Sequence, residues 1–244
     1  MADWTLILWR RDGPEDFNAL AAEGYRLLSL FREGEGGPAF ETVRDRTQAK
    51  PFPWTEAAFA DALRKGRTNQ GNALLGDLGY SVSFFSGGDH PVGYQLHTGD
   101  RRGRDSFVVR IPEERQRGPS APERIGETLR RSAAIFHPFW GCVDTGMPPE
   151  GGYLGEDDRP ILCWLNYWPE PMARKIGKLR IRLACAGTEA EFKDGILRTG
   201  PLPPTEEERA ALAHRLGFLK ATLPLKYGRP QGFFQEIKKK ERES

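Results

Sequence analysis

The chain has 244 residues, 38% of them apolar and 11% aromatic, with 36 basic against 34 acidic side chains and a formal charge of +2. No run reaches the roughly 18 apolar residues of a membrane helix, and so even a charge balance weighs against both a dedicated nucleic-acid binder and a wholesale acidic mimic of DNA. Cys142, Cys163 and Cys185 are odd in number and match no disulfide framework or paired zinc spacing, so they read as reduced, buried thiols.

The first element is a short strand, "TLILWR" (5–10). Its apolar run is brief and has neither a basic region before it nor a small-residue cleavage site, so it reads as structure rather than a signal peptide, and the expected location is the cytoplasm. "DGPEDF" follows, offering Asp12 as an N-cap with Glu15 three residues on. Phe17, Leu20, Ala21, Leu27, Leu28 and Phe31 then recur at helical spacing. A second helix is predicted from Thr55 to about Arg67, with Phe59 and Leu63 on its inner face and Trp54 just outside its cap. "YSVSFFS" (80–86), "VGYQLHT" (92–98) and "SFVVRI" (106–111) are β-prone runs separated by turn chemistry, which predicts an antiparallel meander.

A third helix follows, with Ser120 and Glu123 as a capping box and Ile125, Leu129 and Ala133 facing inward. It must stop at the residue before Pro138. "ILCWLNYW" (161–168) is almost continuously apolar, as in a strand covered on both faces, and is the expected centre of the sheet. "KLRIRLACA" (178–186) alternates, placing Leu179, Ile181, Leu183 and Cys185 on one face of a strand and Arg180 and Arg182 on the other. "GILRT" is a last short strand, and a final helix starts at Thr205 with Glu208 completing a capping box and Leu212, Leu216 and Leu219 inward. Strands and helices come in blocks, which gives an α+β class: a mainly antiparallel sheet with several helices packed on it, one compact unit over 1–236 and a loose basic tail over 237–244.

"IFHPFWGCVDTG" (135–146) gathers His137, Cys142 and Asp144 within a short span. Phe136 ends a helical stripe, Pro138 breaks the helix, and Phe139, Trp140 and Val143 form the apolar side of the next strand, so packing explains most of the stretch. Cys142 sits in a strand-like context, not at the helix N-terminus that would activate a thiol. A hydrolase built on His137 and Cys142, or a metal site at Asp89, His90 and His97 with Asp100 nearby, is the enzymatic alternative. "GGDHP", however, is already explained by turn geometry, and no phosphate-binding, nucleophile-elbow or zinc-protease motif is present. The expectation is a protein that is not an enzyme and carries no metal or cofactor.

The acidic, proline-rich stretch "DTGMPPEGGYLGEDDRP" (144–160) lies between two apolar runs. A long loop of that kind in a compact domain is more often functional than idle. Asp144, Glu150, Glu156, Asp157 and Asp158, with Tyr153 as an aromatic anchor, are therefore the candidate residues for a basic protein partner.

"FHPFWGCVDTG", followed by "ILCWLNYWP" and then "DGILRTG", resembles the immunity protein 52 group of bacterial polymorphic toxin systems, over roughly residues 4 to 205 in element order. The resemblance implies a cytoplasmic antidote, often encoded with a type VI secretion effector, that binds a toxin with a restriction-endonuclease-like nuclease domain. It implies no direct contact with nucleic acid or membrane, and it carries over no catalytic residue. A chaperone or adaptor that binds an effector without inhibiting it is the other binding role.

Overall fold

The computed structural model describes residues 3–11, 13–32, 40–43, 49–67, 79–100, 104–116, 121–145 and 162–217. In chain order the strands are β1 (Trp4–Arg10), β2 (Phe40–Val43), β3 (Ala49–Pro51), β4 (Tyr80–Ser86), β5 (Gly93–Thr98), β6 (Asp105–Ile111), β7 (Trp140–Thr145), β8 (Leu165–Tyr167), β9 (Glu191–Lys193) and β10 (Ile196–Arg198). The helices are α1 (Phe17–Arg32), α2 (Glu56–Lys65), α3 (Ala121–Phe136), α4 (Glu170–Ile176), α5 (Lys178–Cys185) and α6 (Glu206–Arg215). The strands form one sheet in the order β3-β2-β4-β5-β6-β1-β7-β8-β10-β9. Every strand pairing among the described residues is antiparallel, so the expected α+β class holds.

The meander β4-β5-β6 lies where the alternating runs predict it, and β1 closes onto β6 with Leu6 opposite Val109 and Leu8 opposite Phe107. Two cores sit on opposite faces of the sheet. Leu6, Leu8, Phe107 and Val143 join Leu28 of α1, Phe59 of α2 and Leu129 of α3 on one face. Ile7, Trp140 and Cys142 join Met172 of α4, Ile181 of α5 and Leu212 of α6 on the other. Because successive strand residues point to opposite faces, β1 feeds both cores and is buried along almost its whole length. Gly24 lets α1 settle onto the sheet: a Cβ there would lie 2.7 Å from Leu96 Cδ2 and 2.9 Å from the Phe59 ring.

Helix ends follow local chemistry. Thr55 caps α2 by accepting from Ala58 N at 3.2 Å, and Thr205 and Glu208 form the expected box on α6. The cap of α1 is Asp16, whose carboxylate accepts from Ala19 N at 2.9 Å, so that helix starts at Phe17; Asp12 lies outside the described residues. α3 ends at Phe136, and His137 turns into the left-handed region (φ 49°) ahead of Pro138. Ser120, Leu219 and the tail 237–244 lie outside the described residues.

Two expectations are overturned. Residues 161–168 do not form the sheet centre, which is β6-β1-β7. Among the described residues of that run, 162–168, only Leu165–Tyr167 pair, because the Asn166 side chain bonds both backbone groups of Cys163 (2.9 and 2.7 Å) and holds that residue out of the ladder. Residues 178–186 do not form a strand either. Lys, Leu, Arg and Ala all favour a helix, and as α5 the segment buries Ile181 and Ala184 at i, i+3 while exposing Leu179 and Leu183.

Candidate partner-binding site

The stretch 144–160 is reached through β7 and left at Leu162, and one side chain holds both stems. Arg209 of α6 donates from Nη1 to Asp144 Oδ2 at 2.6 Å, from Nη2 to Asp144 Oδ1 at 3.2 Å, and from Nη1 to the Leu162 carbonyl at 2.8 Å. A planar guanidinium can bridge a carboxylate and a carbonyl in this way; a lysine ammonium cannot match that fork. Although burial works against its charge, the Asp144 carboxylate raises the Arg209 pKa. Asp144 Oδ1 also accepts from Thr145 N at 3.0 Å. The capping box at Thr205 and Glu208 sits one residue ahead of Arg209 and fixes the turn that aims it. On the exit side Trp164 donates from Nε1 to the Gly200 carbonyl at 3.1 Å, and Thr199 bonds the Trp164 carbonyl through both its amide and its hydroxyl. Asp144 on one side and Leu162 to Trp164 on the other are therefore anchored to neighbouring elements.

Asp144 itself is 3% exposed and committed to Arg209, so its carboxylate holds the stem instead of facing solvent. Glu150, Tyr153, Glu156, Asp157 and Asp158 lie outside the described residues.

His137 and Cys142 do not form a pair. His137 is exposed beyond the end of α3, a helix that packs on one face of the sheet through Ile125, Leu129 and Phe136; Cys142 points into the opposite core. Burial pushes the thiols of both Cys142 and Cys163 up, which keeps them protonated and unreactive. Trp140 and Trp164 are fully buried, as packing predicts. The histidines on β5 and its hairpin are also apart. His90 faces Glu114 at 3.4 Å and His97 faces Asp100 at 3.4 Å, and the four residue steps from Gly93 to His97 alone span about 13 Å of strand. Among the described residues no three His, Cys, Asp or Glu side chains converge for a metal.

Sequence reasoning missed a second polar cluster at the far end of β1. Arg10, 3% exposed, donates from Nε to Asp105 Oδ2 at 2.9 Å, from Nη2 to Thr98 Oγ1 at 3.0 Å and from Nη1 to Glu23, with Phe136 lying under its guanidinium at 4.5 Å. Thr98 Oγ1 donates on to Asp105 Oδ2 at 3.1 Å. One cation thus faces two carboxylates inside the protein, and burial pushes the Glu23 carboxyl up, with Arg10 holding back part of that rise. Beside the cluster is an open cleft of about 450 Å³ bordered by Arg11, Phe17, Tyr80 and Asp100. Each nitrogen of the Arg10 guanidinium donates to a protein acceptor, which makes the cluster a clasp between β1, α1, β5 and β6. Its signal was periodicity: Arg10 continues the face of Leu6 and Leu8, and its register partner is Asp105.

No family model matches the chain, and no curated protein matches it. The likeness to the immunity protein 52 group therefore rests on the residues quoted above. Among solved structures, the fold is similar to that of the Pseudomonas aeruginosa T6SS protein PA0821, with a TM-score of 0.58 at 12% identity over 95% of this chain and 78% of that one. No helix among the described residues is long and apolar enough to cross a membrane.

Proposed function

We propose that the chain is an immunity protein of a type VI secretion system, which binds one cognate toxin, a nuclease effector, and neutralises it in the cytoplasm without catalysis or cofactor. The observation that carries this reading is the fold held in common with a T6SS protein over nearly the whole chain. The state of the reactive groups supports it: the Cys142 and Cys163 thiols are buried and protonated, and His90 sits beside Glu114 while His97 sits beside Asp100. The bonds from Arg209 to Asp144 and Leu162 add support, since the sequence between those two anchored residues carries Glu150, Tyr153, Glu156, Asp157 and Asp158. An acidic sequence of that kind complements the Lys and Arg with which a nuclease grips phosphates.

The test is co-expression with the product of the neighbouring reading frame, followed by pull-down and by rescue of cells from that product. A complex together with rescue is the expected result. Both proteins folded and no complex would sink the reading. A complex without rescue would favour an effector chaperone or adaptor, which a T6SS-type fold suits equally well.

A further inference from the structure

Helix α5 presents an anomaly. Leu179 is 70% exposed and Leu183 65% exposed, one turn apart on the same face, while the inward contacts of the helix are made by the smaller set Ile181 and Ala184. Scattered surface leucines need no explanation, but two at i, i+4 form a ridge. Cations flank it on both sides: Arg182 stands three residues after Leu179 and Arg180 three before Leu183, and both are exposed. Lys175 and Lys178 extend the positive field, and the nearby Glu170 is occupied by Arg174 at 2.9 Å and Lys178 at 2.7 Å. Alongside runs a groove of about 460 Å³, lined by Tyr167 and Phe192 and by charges of both signs, Lys178 and Arg182 with Glu170 and Asp194.

We infer that the Leu179–Leu183 ridge of α5, with its adjoining groove, is a docking surface for an acidic protein segment that carries an apolar anchor, borne by the cognate toxin outside the surface with which it grips nucleic acid. This rests on the immunity reading above. Charge complementarity selects an acidic occupant, because Lys178, Arg180 and Arg182 border the two leucines on their own helix, which carries no acidic residue. The concave groove beside the helix suits a polypeptide better than a flat lipid surface. Apolar anchors at the centre with charges at the rim is the usual anatomy of a specific interface.

The probe is the toxin encoded by the neighbouring reading frame, titrated by interferometry onto wild-type, Leu179→Asp/Leu183→Asp and Arg182→Glu proteins. The double aspartate variant should bind about 30- to 1,000-fold more weakly, the range that central anchors carry. Arg182→Glu should slow association and flatten its salt dependence. Both variants should melt with the wild type, because the altered side chains are exposed. Undiminished binding by the double variant overturns this inference while leaving the immunity reading standing; no binding by wild type removes both. A lowered melting temperature in the free variant would mean that the leucines are covered within the chain. Dimers of wild type that the double variant abolishes would assign the ridge to a second copy, and wild-type sedimentation with phosphatidylglycerol vesicles that the variant loses would assign it to lipid. Each of those three results also overturns the inference.

Discussion

At the scale of single residues, two buried ion clusters bear charges whose removal has opposite consequences. Asp144 and Arg209 are a matched pair with side chains 4% and 19% exposed, so removing the cation strands a buried carboxylate. Arg209→Met is expected to cost about 3–5 kcal/mol, the usual loss when one member of a buried pair is deleted, and Asp144→Asn in the same chain should recover part of it. Urea unfolding of the two variants measures both; an Arg209→Met protein as stable as wild type would show that the clamp is not formed. In the Arg10 cluster the carboxylates outnumber the cation, and Glu23 has its pKa raised by burial above its ordinary 4.5. Between 4.5 and that raised value the folded chain binds more protons than the unfolded one. The contribution of Glu23 is therefore fully present at low pH and is lost as pH rises through its folded pKa. Glu23→Gln keeps an acceptor for Arg10 and removes the charge, so the stability of wild type relative to the variant should fall as pH rises from about 4.5 through the raised pKa of Glu23. Parallel pH profiles in urea titrations would refute the assignment.

At the scale of elements, what the sequence made legible was set by whether local and tertiary signals agreed. The meander, β1, α2 and α6 each had periodicity, caps and turn residues pointing the same way, and they formed as read. The failure at 178–186 came from a pattern that serves two structures. "KLRIRLACA" alternates strictly, yet every residue from Lys178 to Ala184 is also acceptable in a helix, and the second core needed a helical face more than another strand. Asp144 shows the reverse: its burial was readable, since it continues the face of Trp140 and Cys142 on β7, but its partner Arg209 lies on a distant helix with no local mark. Because i, i+3 burial and i, i+2 burial select different side chains, mutation separates the two readings of α5. Ile181→Ala should cost about 2–5 kcal/mol through the cavity it leaves, whereas Leu179→Ala should stay within about 0.5 kcal/mol. Thermal or urea melts decide it, and equal losses at the two sites would restore the strand.

At the scale of the whole molecule, a formal charge of +2 hides a separation of charge along the chain. Lys175, Lys178, Arg180 and Arg182 crowd the α4–α5 corner, while Glu150, Glu156, Asp157 and Asp158 lie in the sequence between Asp144 and Leu162. A partner approaching through solution feels such local fields, not the net charge, once it comes within about 8–10 Å at physiological salt. If the partner is a nuclease toxin, as proposed, its phosphate-gripping surface is basic, and the acidic stretch is the part of this chain that would steer it. Reversing Glu156, Asp157 and Asp158 to Lys should therefore slow association by about tenfold or more at low ionic strength and flatten its dependence on salt, with a smaller effect on dissociation. Stopped-flow association across a salt series, with the melting temperature of each variant measured alongside, reads this directly. The same series on Arg182→Glu tells the two surfaces apart. A toxin that meets both the acidic stretch and the α5 ridge is slowed by either reversal, because each removes an attraction of its own sign. Unchanged kinetics in the acid-reversed protein together with slowed kinetics in Arg182→Glu would take the acidic stretch out of the interface and leave α5 as the surface that meets the toxin.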